Sequence, residues 1–165
     1  MNKEPVIKRV EAFRIVGIER YTVNGLASIG EAWDAFFPRL EEVKHRSIPP
    51  VYYGYEDYSR DLVMTPGEFP KYFFLAGVKV EELADIPQGM VGKEVPSTNC
   101  SVFTYRGPLQ DLHESFRYIY ETWLPGSGFK MDPAISADFE RYPERITDPA
   151  NALVDIHVPV VKKAT

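Results

Sequence analysis

At 165 residues the chain has the span of one compact domain, or of two half-domains sharing a core, which excludes a large multidomain assembly. Nineteen basic against 24 acidic residues give a net charge of −5 without a basic stripe, so direct binding to nucleic-acid phosphates is not expected. Aromatic residues reach 13%, a surplus of rings that calls for a core or a pocket to hold them. A single cysteine, Cys100, permits no internal disulfide, and "MNKEPVIKRVEAF" has neither a signal-peptide run nor a spanning segment. A cytoplasmic protein without membrane contact is expected.

In chain order, "VIKRVEAFRIVGIERY" is rich in β-branched residues and predicts a strand, followed by the turn-prone "TVNGLASIG". Ser28 stands three residues before Glu31, a capping-box spacing. Trp33, Phe36, Phe37 and Leu40 then recur at helical spacing until Pro49-Pro50 forbids continuation. "VYYGYEDY" and "KYFFLAGVKVEEL" predict two strands. The pattern then restarts. "STNCSVFTYRG" predicts a strand, and Pro108 suits the first turn of a helix striped by Leu112, Phe116, Ile119, Tyr120 and Trp123 and ended by "LPGSG". "ISADFERY" and "ALVDIHVPVV" complete the second set.

The order strand, helix, strand, strand thus occurs twice, in pseudo-repeats of about residues 1–85 and 86–165. Trp33, Phe36, Phe37 and Leu40 echo Phe116, Ile119, Tyr120 and Trp123, while "YEDY" (Tyr55 to Tyr58) echoes "FERY" (Phe139 to Tyr142). Two such modules predict an α+β fold: a pseudo-twofold pair of half-domains, helices packed on an antiparallel sheet, and a central cleft.

Most catalytic signatures fail on inspection. His45, His113, His157 and Cys100 are scattered, so no metal site is expected. His113-Glu114 lacks the second histidine of a zincin, since Arg117 occupies that place. The glycines of "GSG" follow a helix instead of opening one, and Ser127 lacks a nucleophile elbow. Glu56, Asp57 and Asp61 in "YEDYSRD" lack the spacing of a calcium loop and are assigned to a charged turn. Glu140 differs. Strand alternation puts it on one face with Asp138 and Tyr142, opposite Ala137, Phe139 and Arg141. From a half-exposed strand it would simply point to water; set instead among aromatic rings, the carboxylate would be desolvated, and a lipophilic cation would compensate it while being drawn to the ring faces.

"YFFLAGVKV", "IPQGMVGKEVPSTNCSVFTYRGP", "IYETWLPGSGF", "ADFERY" and "DIHVPV", in this order, resemble the GyrI-like effector-binding domain of AraC-type and multidrug-responsive transcription regulators. The specific part is the Trp123–Phe129 signature followed by Phe139–Tyr142. The resemblance implies one such domain over residues 1–165, without a DNA-binding module, that captures a small lipophilic cation. It also implies that Glu140 is the charge anchor. Tyr53, Tyr72, Trp33, Phe36, Phe116, Trp123 and Tyr142 are the further candidate ligand contacts; no cofactor and no catalytic residue is assigned. Two alternatives stay open. Some family members resemble hydrolases of small reactive electrophiles, in which the same glutamate would act as general base. Others resemble inhibitor or protein-interaction domains, for which "EELADIP" offers an acidic surface.

Overall fold

The computed structural model describes residues 1–165. The first module contains β1 (Val6–Val10), β2 (Phe13–Tyr21), α1 (Leu26–Phe36) with a 3-10 continuation over Phe37–Glu42, β3 (Tyr52–Asp57) and β4 (Phe73–Val80). The second contains β5 (Val91–Val95), β6 (Thr98–Gly107), α2 (Leu112–Tyr118), β7 (Phe129–Met131), β8 (Ala137–Tyr142) and β9 (Ala152–Lys162). A 3-10 turn, Leu109–Asp111, precedes α2, and a wide π turn, Ile119–Trp123, continues it to a last turn at Leu124–Gly126.

Two local expectations are corrected. The single strand expected over Val6 to Tyr21 is two strands parted at Glu11-Ala12. The capping box is absent: α1 begins at Leu26, and the buried Ser28 hydroxyl accepts the Asn24 N–H at 2.9 Å from within the first turn.

The sheet runs β1-β6-β9-β8-β3-β4-β2-β5, with β7 beside β9, and every pairing is antiparallel. The order is symmetric about the central β3/β8 pair: β3-β4-β2 on one side repeats as β8-β9-β6 on the other. The leading strand of each module crosses to its sister, since β1 pairs with β6 and β5 with β2. Three Cα steps join β1 to β2, a reach of at most about 11 Å, yet those strands lie near opposite ends of the sheet. The sheet must therefore curl until its ends meet. There Ala12 N–H donates to the Ser97 hydroxyl at 3.0 Å, tying the two short links together.

Curling gives the sheet two unlike faces. Inside the curl, Phe13 stacks on Tyr53 at 4.5 Å and meets Phe139 at 5.3 Å across intervening strands. On the other face α1 and α2 lie over the sheet, and Phe36, Phe74, Phe103 and Ile119 are wholly buried among them. Each such side chain contributes roughly 1.5–3 kcal/mol of burial. No helix is long and apolar enough to cross a membrane.

Candidate functional site

The site grows from the central β3/β8 pair. Register sets Glu56 opposite Asp138 and Gly54 opposite Glu140, and alternation sends all these side chains toward the helices. The symmetric counterpart of Asp138 is thus Gly54, whose missing side chain makes room: a Cβ there would stand 2.5 Å from Glu140 Oε2. Glu140 can fold its carboxylate over the strand only because residue 54 is glycine.

Glu56, Asp138 and Glu140 are buried side by side, and each keeps one oxygen without a hydrogen-bond partner. Tyr58 donates to Asp138 Oδ2 at 2.9 Å, and Tyr120 donates to the same oxygen. No ion pair of the molecule includes any of the three acids. Burial, reinforced by the charges of Glu140 and Asp138, pushes Glu56 well above the usual carboxylate range. Burial also raises Asp138, opposed by its contacts with Glu56, Tyr120 and Tyr58. Glu140 is raised by burial to about 7, with the Asp138 charge adding to the rise and contacts from Glu56 and Tyr142 opposing it. The acids form a desolvated polar floor between the helices and the sheet, yet they are not arranged to hold a metal ion.

Above this floor lies a cavity of about 640 Å³ between the two helices, to which Glu56 and Glu140 are both exposed. Ile29 and Trp33 of α1 form one wall, Phe116 of α2 and Tyr120 of the π turn the other, and Tyr58 and Tyr72 close the end. Trp33 meets Tyr142 edge-on at 5.6 Å, and Tyr58 meets Tyr72 at 5.1 Å. Leu26, Phe69 and Leu109 are exposed around the mouth, together with His113 and Arg117. A second hollow, about 400 Å³ at Tyr21, Leu62 and Phe73, has no buried charge.

The cavity brings together Glu140, Tyr72, Trp33, Phe116 and Tyr142 of the sequence candidates. Three others lie elsewhere. Tyr53 faces the inside of the curl, stacked on Phe13, because it is out of phase by one residue with Glu56. Phe36 is wholly buried beneath Trp33. Trp123 packs edge-on to Phe103 at 5.2 Å and stacks on Phe129, behind the α2 wall.

Sequence reasoning missed Glu56, Tyr58 and Tyr120 as site residues. The charged turn assigned to Glu56 is instead a buried strand, β3, and only Asp61 of the three acids in that run is exposed. The echo of "YEDY" in "FERY" carried the signal, since it makes Glu56 the counterpart of Glu140 and Tyr58 that of Tyr142.

A curled antiparallel sheet carrying two helices over an acidic, aromatic cavity is the architecture of a small-molecule-binding domain. Residues 3–161 match the family described as the GyrI-like small molecule binding domain, and the chain belongs to that family. It is 34% identical over 151 residues to the transcriptional regulator BrlR of Pseudomonas aeruginosa, covering 90% of this chain and 52% of that protein. The chain thus spans about half the length of that relative. The C-terminal domain of EcmrR has the same fold, with a TM-score of 0.73 at 15% identity over 97% of this chain and 98% of that one. So does SAV2435 bound to tetraphenylphosphonium, with a TM-score of 0.65 at 18% identity over 96% and 94%. A hydrolase from Listeria innocua shares it more distantly, with a TM-score of 0.54 at 11% identity over 96% and 92%.

Proposed function

We propose that this small-molecule-binding domain takes amphipathic, aromatic organic cations, with Glu140 as the charge that meets them and residues 1–165 acting as one binding unit. The observation that carries the reading is the set of three buried carboxylates, each with an unpartnered oxygen and none with a cationic partner, of which Glu56 and Glu140 line an aromatic cavity and Asp138 lies beside them. Burying a charge without a partner is costly, and an incoming cation removes that cost. The faces of Trp33, Phe116 and Tyr72 would add roughly 0.5–2 kcal/mol for each well-placed contact. The tetraphenylphosphonium held by SAV2435 is a ligand of this chemistry in the same fold.

Isothermal titration with tetraphenylphosphonium tests the reading. The expected dissociation constant is about micromolar or tighter, and Glu140→Gln weakens it by roughly 1.5–3 kcal/mol, about 10-fold to 150-fold. Equal binding by the variant would remove Glu140 from the site.

One observation favours a second reading. A carboxylate raised to about 7 with the Tyr142 hydroxyl beside it has the properties of a general base for a small electrophile. A screen of small electrophiles and lipophilic cations with product analysis separates the two: turnover lost in Glu140→Gln supports a hydrolase, and reversible binding without product supports the binding domain.

A further inference from the structure

The floor of the cavity carries more acid than one monovalent ligand requires. Register sets Glu56 directly opposite Asp138 and diagonal to Glu140 on the same face of the sheet, and all three are buried with no cation among them; each carboxyl bears on the ionisation of the others. Carboxylates so placed do not all ionise in a desolvated site, so the set must hold a proton. Asp138 already accepts the hydroxyls of Tyr58 and Tyr120, which favour its charged form, whereas no hydroxyl donates to Glu56. The proton therefore belongs to Glu56.

We infer that Glu56 is a positioning residue of the ligand site: it remains a neutral acid, donates its hydrogen toward Glu140, and leaves Glu140 as the group that gives up a proton when a cation enters. The inference rests on the cation-binding reading above. In the empty cavity Glu140 takes a proton from solvent. On binding, its O–H dissociates, the proton passes to the buffer, the cation takes its place, and the net charge of the site is unchanged.

The surrounding groups leave Glu140 this role. On β8, Asp138 opposes its ionisation and Tyr142 favours it. Burial raises the phenols of Tyr58, Tyr72, Tyr120 and Tyr142 and keeps them neutral. The α1 wall, Leu26, Ile29, Gly30 and Trp33, has no titratable side chain, and His113, Arg117 and Glu121 of the α2 side are exposed.

The test is calorimetric titration of the full chain with tetraphenylphosphonium, a cation that cannot itself titrate, from about pH 5.5 to 8.5 in two buffers of unlike ionisation heat. The expected result is release of about one proton per cation near pH 6, falling toward none near pH 8.5, with affinity weakening about tenfold per pH unit on the acid side. Glu56→Gln, whose amide N–H still donates, keeps this profile; Glu56→Leu, without a donor, moves the midpoint upward. Should Glu56→Leu fail to fold, Asp138→Asn supplies the opposite shift, a lower midpoint, by removing the opposing charge. Histidine ordinarily changes charge in this range and His113 stands at the cavity mouth, so a proton release abolished by His113→Gln would assign the proton to that ring and overturn the inference. Binding that is independent of pH and releases no proton would overturn the inference while sparing the cation site. An unmoved midpoint in Glu56→Leu would overturn the role of Glu56. No binding at any pH would overturn the cation reading itself.

Discussion

The carboxylate of Glu140 lies over Gly54, and that approach shows how one residue sets the chemistry of the cavity. A Cβ at position 54 would also stand 2.9 Å from Phe74 Cζ, and Phe74 is wholly buried. Gly54→Ala therefore drives either the acid or the ring out of place. The expected cost is about 1–3 kcal/mol in urea unfolding, with cation binding lost in calorimetry. The raised Glu140 makes a second prediction, on pH. Below its ordinary value of 4.5 the group is neutral in both folded and unfolded chains, so the folded state bears no penalty. As pH rises toward about 7 the unfolded chain ionises first, and stability is lost through that window, by about 3 kcal/mol. Urea unfolding near pH 5 and pH 8 should show this loss in the ligand-free protein, and Glu140→Gln should show a smaller one. Alternation gave Glu140 a face shared with Asp138 and Tyr142, but the resemblance to the GyrI-like family, not alternation, gave it a cleft. Tyr53 was misplaced because alternation was applied to "ADFERY" and not to "YYGYED", where counting back from Glu56 leads to Tyr52 and Gly54.

Whole elements were legible wherever their periodicity was strong. The two helices were found by their aromatic stripes, but a stripe alone does not say which ring reaches the cavity and which the core. Trp33 and Phe36 share one helix, yet Trp33 lines the cavity and Phe36 is fully enclosed. Phe36→Ala should cost about 3–5 kcal/mol in unfolding, the usual penalty for emptying a buried phenylalanine site, as measured by urea denaturation. The π turn after α2 was not legible either, since nothing in "IYETW" departs from a regular helical stripe. It coincides with Tyr120, whose hydroxyl reaches Asp138, and such wide turns often accompany functional sites. The break between β1 and β2 was missed because Glu11-Ala12 carries neither glycine nor proline. The exposed β5 and the three-residue β7 lack the apolar run that marks a strand.

At the scale of the molecule, duplication was legible through order and echo, while the crosswise pairing of β1 with β6 and β5 with β2 was not, because partners distant in sequence leave no local pattern. That pairing curls the sheet and brings β3 and β8 to its centre. The two modules thereby set Glu56 and Glu140 on either side of one axis, under both helices at once. The site belongs to the pair of modules, since each supplies one wall, the first adding Glu56 and the second Asp138 and Glu140. On the proposed reading, its central property is that the buried acid receives a positive charge. The most direct test compares tetraphenylphosphonium with a neutral ligand of similar shape, triphenylphosphine oxide, by calorimetry near pH 8, where Glu140 is ionised. The account predicts that the cation binds at least about tenfold tighter, a difference of about 1.4 kcal/mol or more. Equal affinity for the two would contradict it.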